Sequence, residues 1–156
     1  MKTKTILLYL LGIISINAQA QETVVNDDLV YKWVDELQKI QPDTNCIIIH
    51  DLFERNTYTD EIDTIRTVQH NETEIVFRCT SEGAHFVRIN MEDNTYPLYD
   101  GEVQVGMAQA HLEAILKTSI YKSSVIVTDI TRHATFLFVL WEGNVILIQY
   151  NFYYGG

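Results

Sequence analysis

Five histidines and two cysteines are the first residues to test for chemistry in this 156-residue sequence. His50, His70, His85, His111 and His133 are scattered, without the close spacing of a zinc site. His111 and Glu113 share a segment, but a zincin helix needs a second histidine at i+4, and none is there. There is no G-x-S-x-G elbow, no P-loop and no G-x-G-x-x-G. Two local pairs remain. His50 and Asp51 close the apolar run CIIIH, and ligands gather at the C-terminal ends of strands in open α/β sheets, so both are binding candidates. The plainer reading has Asp51 capping a loop or helix and His50 partly buried. Asp129 and His133 follow a second apolar run, with Ser123 and Ser124 nearby. A hydrolase triad can be drawn from these side chains, but no motif supports it. Asp129 and His133 therefore stay as binding candidates. The expectation is a chain with no catalytic residue, no metal and no cofactor.

The cysteines are Cys46 and Cys79. In a secreted chain, a disulfide between them is the default. Cys46 opens one apolar run and Cys79 closes another. Antiparallel neighbours would make the bridge easy; parallel neighbours would hold the two sulfurs beyond the roughly 7 Å Cα limit. Both alternatives stay open. Asn71-Glu72-Thr73 is an N-x-Thr sequon, so Asn71 is a candidate glycan acceptor.

The compartment follows from the N-terminus. Lys2 and Lys4 precede an apolar stretch at residues 6–16, and Ala18-Gln19-Ala20 is a small-x-small cleavage site. That is a signal-peptide pattern, too short to span a bilayer comfortably. The expected mature chain is one domain of 136 residues, 156 minus 20, secreted or extracellular. Loss of Lys2 and Lys4 takes the formal charge from −10 to −12. Such acidity argues against nucleic acid, whose phosphates require clustered Lys and Arg, and against anionic membrane surfaces. No later apolar run is unbroken enough for a membrane span.

The elements that must position these residues follow from periodicity. Leu29, Val30, Trp33, Val34, Leu37 and Ile40 form a helical stripe over residues 26–40, capped by Asn26 or Asp27 and stopped by Pro42. Residues 46–50 read as a strand buried on both faces, as in a parallel sheet. Residues 59–69 read as a helix, because Ile62, Ile65 and Val68 recur every third position. The alternative there is a strand over 65–69, turning at His70-Asn71 to pair with residues 74–79. Residues 74–80 and 85–91 read as strands around Ser81-Glu82-Gly83, the second half-exposed or at an edge. Tyr96 and Tyr99 sit in a loop at 92–102, where they either pack the loop down or mark a contact surface. A second helix spans 105–120, a buried strand 124–130, and a hairpin joins 136–141 to 145–150 through Gly143-Asn144. The expected architecture is α/β: a mostly parallel sheet with flanking helices and a C-terminal antiparallel hairpin.

This layout, a leader, the helix at 27–40, the strand CIIIHD, then SSVIVTDI, FLFVLW and a Gly-Asn turn into VILIQYNFYY, resembles the amino-terminal extracellular region of insect chemosensory ionotropic receptors. Members of that family continue with a proline after the tyrosine and asparagine; here Tyr150-Asn151-Phe152 lacks it. The resemblance implies an incomplete lobe of the periplasmic-binding-protein type, separated from the ligand-binding lobes and channel that follow in the family. No ligand-contacting residue can be carried over, because those positions lie beyond this sequence. The functional expectation is a non-enzymatic extracellular domain that binds a protein partner or receptor subunit. A self-contained small secreted binding protein is the alternative, and a secreted hydrolase the third.

Overall fold

In the computed structural model, residues 21–41 and 46–152 are described. The signal-peptide pattern at 1–20, residues 42–45 with the Pro42 stop, and residues 153–156 lie outside the described residues. Among the described residues, eight strands form one sheet: β1 (Gln21–Val25), β2 (Ile47–Arg55), β3 (Ile62–His70), β4 (Thr73–Thr80), β5 (Gly83–Met91), β6 (Ser124–Thr128), β7 (Ala134–Trp141) and β8 (Asn144–Phe152). Their spatial order is β1-β6-β7-β8-β5-β4-β3-β2. Helix α1 (Asp27–Leu37) follows β1, and helix α2 (Gln109–Leu116) precedes β6.

This is not the mostly parallel α/β sheet expected above, nor an incomplete lobe built on one. Among the described strands, β1 and β6 are the one parallel pair; every other neighbouring pair is antiparallel. The reason lies in the connections. Parallel neighbours need a crossover of a dozen or more residues, whereas a tight turn returns the chain antiparallel. Tight turns at Asn71-Glu72, Ser81-Glu82 and Glu142-Gly143 do that here. Glu142 (φ 50°) and Gly143 (φ 76°) are both left-handed, as a type I′ hairpin requires, so that turn falls one residue earlier than Gly143-Asn144.

Two segments account for most of the difference. Residues 59–69 are strand β3, not a helix. Ile62 and Val68 face one side and Ile65 the other, and the β-branched run Ile62, Thr64, Ile65, Thr67, Val68 fits a pleated surface. The run at 46–50 is not doubly buried. It opens β2, which among the described strands pairs with β3 alone and forms one edge of the sheet. Ile47 is 72% exposed and Phe53 70%. Conversely, β5 is interior, between β4 and β8.

The core lies on one face of the sheet. Asn26 caps α1, its side chain accepting from Leu29 N at 3.1 Å, with Asp27 and Asp28 in the first turn. Leu29, Val30, Trp33 and Leu37 are buried. The Trp33 ring meets Phe136 and Phe138 edge-on, at centroid distances of 5.0 and 5.6 Å. Helix α2 is shorter than the 105–120 expected. Gly106 N donates to Val145 O, Val145 N to Met107 O and Gln109 N to Gly143 O, so residues 106–108 lie along the β7–β8 hairpin instead of entering the helix. Lys117, left-handed at φ 54°, ends it.

Candidate functional site

The structure does not bring the sequence-derived candidates together. Asp51 lies mid-strand in β2, opposite Arg66 on β3. The guanidinium donates twice to its carboxylate, from Nε at 2.9 Å and Nη2 at 2.8 Å. Arg66 thereby holds the Asp51 carboxyl below its ordinary range. This is a fork-to-fork strand staple, not a group left open for a ligand at a strand end. His50 is the neighbouring residue and is exposed.

Asp129 is buried just past β6, where it organises the β6–β7 turn. Its carboxylate accepts from Ala134 N at 3.1 Å and from the Thr131 hydroxyl. Burial alone would push this acid up; the hydrogen bonds from Thr131, Ala134 and His133 outweigh it and hold the carboxyl low. His133 is exposed on the same turn. Ser124 starts β6 and Asp129 follows its end, about 16 Å away at ~3.3 Å per residue. Ser123 lies one residue further back. A triad of Asp129, His133 and either serine is therefore not assembled.

Cys46 and Cys79 are both free thiols. Strands β2 and β4 flank β3 and so run parallel to each other; Cys46 precedes the Ile47–Gln69 pair while Cys79 opposes Thr64. Along the strands alone this separates them by roughly 17–20 Å, and the candidate disulfide does not form. Asn71 is exposed at the β3–β4 turn, left-handed at φ 55°, its side-chain amide donating to Thr95 Oγ1 at 3.0 Å.

That turn is one of two polar knots the sequence did not reveal. Asp93 accepts from Glu72 N (2.6 Å), Thr73 Oγ1 (3.0 Å) and Thr95 N (2.8 Å). Burial would raise its pKa, but these bonds, with a further one from the Thr95 hydroxyl, bring it below the usual value. His70 Nδ1 and the Tyr96 hydroxyl lie 2.7 Å apart beside it. Tyr99 packs against the core, and Glu36 of α1 accepts from the backbone N–H of Tyr99 (2.6 Å) and Asp100 (3.2 Å). The loop tyrosines thus hold the loop down on the helical face. Asp followed two residues later by Thr, at both 93 and 129, is the local signal for such side-chain turns.

A cavity of about 280 Å³ opens between the β2–β3 and β4–β5 turns, with Asn56, Glu61, Asp63, Ser81, Glu82 and His85 in its wall. It is smaller than the ~300–1,000 Å³ typical of ligand pockets and is not apolar. Several of its polar groups already bond one another. Asn56 Nδ2 donates to Asp63 (3.0 Å), Ser81 Oγ to Glu61 (3.0 Å), and Arg78 lies 3.6 Å from Asp63. Among the described residues, no group of three or more His, Cys, Asp or Glu is placed to hold a metal ion. No described helix is long and apolar enough to cross a membrane.

The feature without an internal use is β2 itself. Ile47, Ile48, Ile49, Leu52 and Phe53 are all exposed along it, and Ile62 extends the apolar surface onto β3. No described strand lies beyond β2. An edge strand this long and apolar is ordinarily blunted or covered, because its unpaired N–H and C=O groups template further pairing. No protein-family model, curated protein or solved structure matches the chain.

Proposed function

We propose that this protein is a non-enzymatic binding and assembly domain that takes up an extended segment along β2. The observation that carries the reading is an apolar edge with no described strand beside it, on an otherwise well-packed sheet. Contiguous exposed apolar surface marks contact sites. Strand addition supplies main-chain hydrogen bonds for affinity and side-chain neighbours for specificity. The local ion pairs support it: Asp51 pairs with Arg66, and Glu54 lies 3.5 Å from Arg78, so the strand is less repulsive than the chain's net charge of −10 suggests. Under this reading the leader pattern at residues 1–20 directs the domain outside the cell, where a protein partner or receptor subunit provides the strand.

The test is a library of extended nine-residue peptides screened against the purified chain, with amide exchange as the readout. Bound peptides should protect the amides of β2 and lose binding to Phe53→Lys. Peptides that bind while leaving the Phe53 amide as fast as in the free chain would refute the reading.

A further inference from the structure

We infer that the strand received by β2 is β2 of a second copy, paired antiparallel about a twofold axis through Phe53. This rests on the edge-docking reading above and names its occupant.

The hydrogen-bond phase of the edge comes first. Asn56 N donates to Glu61 O at 2.8 Å where the β2–β3 hairpin closes. Bonded and non-bonded pairs alternate in an antiparallel ladder. Leu52–Ile65 and Glu54–Asp63 are therefore bonded pairs, while Asp51–Arg66, Phe53–Thr64 and Arg55–Ile62 are non-bonded. The backbone N–H and C=O groups of Asp51, Phe53 and Arg55 consequently point away from β3, toward the open edge. A bulge between Ile48 and His50 interrupts the regular edge on one side and the turn after Arg55 ends it on the other. The segment ready to pair is centred on Leu52 and Phe53.

Charge then selects the register. A twofold axis at Asp51 would set Asp51 against its own copy, which is repulsive. An axis at Leu52 would lay each Asp51 against a Phe53 ring. An axis at Phe53 places Asp51 of each copy opposite Arg55 of the other, on one face, and ring against ring at the centre. That register alone opposes full charges of unlike sign, and it does so twice because the interface is isologous. Arg55 is free to make the exchange. Its internal partner, Asp60, is 77% exposed and the pair sits in solvent, where such contacts contribute little. The exposed Leu52 and Phe53 side chains gain neighbours from the same operation, and two eight-stranded sheets become one continuous sheet.

The test is sedimentation of the full chain over a concentration series, with amide exchange alongside. The expected result is a reversible dimer in which the Asp51, Phe53 and Arg55 amides slow as dimer accumulates. Arg55→Glu should weaken it about tenfold or more, since two attractions become two repulsions. The double variant Asp51→Arg with Arg66→Asp keeps the internal ion pair but repels its own copy. Mixing it with Arg55→Glu should restore a heterodimer, which a folding defect would not do. A dimer that ignores Arg55→Glu and Phe53→Lys uses another surface and overturns the proposal. A monomer whose β2 amides are protected by a foreign extended peptide overturns self-pairing alone. A monomer whose β2 amides no peptide protects overturns the edge-docking reading as well.

Discussion

Trp33 gives a sharp test of how the helical face is held. Its ring is fully buried, edge-on to Phe136 at 5.0 Å and Phe138 at 5.6 Å, yet its Nε1 has no hydrogen-bond partner among the described residues. These facts predict different costs for two substitutions. Trp33→Ala removes the whole ring and strands two aromatic neighbours, so its cost should reach the upper end of the ~3–5 kcal/mol seen for such truncations. Trp33→Phe keeps an edge-on ring. It loses roughly 40 Å³ of volume, or about 1 kcal/mol at ~24 cal/mol per Å³, and somewhat less than 1 kcal/mol of transfer energy. Against this, it removes a buried unpaired donor whose burial costs ~1–3 kcal/mol. The two sides nearly cancel, and Trp33→Phe should lie within about 1 kcal/mol of the parent. Urea unfolding followed by far-UV circular dichroism, with equal slopes as the two-state check, measures both. A Trp33→Phe loss beyond ~3 kcal/mol would show that the indole N–H is satisfied after all. A Trp33→Ala loss below ~1.5 kcal/mol would show that α1 is not anchored through this ring.

Asp129→Ala should cost ~1–3 kcal/mol in the same assay, because Ala134 N and His133 N lose a buried acceptor; a loss near zero would refute the turn-organising role. The carboxyls of Asp51, Asp93, Glu113 and Asp129 are all held below their ordinary values. A depressed folded pKa contributes stability that is full above the unfolded value near ~4 and is lost as pH falls through the folded one. The urea midpoint, measured at physiological salt so that long-range repulsion is screened, should therefore be level from neutrality to about pH 5 and drop below about pH 4. A midpoint that rises on acidification would contradict the assigned contacts. Finally, the chain unfolded without reductant should titrate two thiols, Cys46 and Cys79; fewer would mean that the β2–β4 register is wrong.

Helix α1 was legible because its stripe and its cap coincide: Leu29, Val30, Trp33 and Leu37 follow directly on Asn26. The β7–β8 hairpin was legible because Gly143 interrupts two apolar runs, although its turn begins at Glu142. The global sheet was not legible, and one residue spacing explains much of that. Ile62, Ile65 and Val68 satisfy a helical repeat as well as two faces of a strand, and pattern alone does not choose between them. The run Ile47-Ile48-Ile49 was misread for a related reason. An apolar run reports that a strand avoids water, not whether a neighbour exists to shield it. Strand β1 went unseen because Gln21–Val25 carries little pattern of its own and is fixed by β6, far along the chain. Of the candidate site, Asp51 and Asp129 drew notice as binding candidates because each follows an apolar run. Their use is structural: the Arg66 partner of Asp51 lies on the next strand, beyond any local pattern, whereas Thr131 sits at the Asp-x-Thr spacing that marks a side-chain turn.

The pairing of β1 with β6 sets an order of events during synthesis. Gln21 aligns with Ser124 and Val25 with Thr128, and α1, which follows β1, finds its ring partners at Phe136 and Phe138. Among the described elements, the first to emerge are thus completed by two of the last three strands. Strands β2 to β5 form a meander of local hairpins and can fold early, whereas β1 and α1 must wait with Leu29, Val30 and Trp33 uncovered. Contacts of such sequence separation slow folding, because loop-closure entropy is lost before any packing compensates. The growing chain therefore carries two sticky surfaces at once, the waiting helix and the bare β2 edge, and it is a natural client for a chaperone until β6 and β7 arrive.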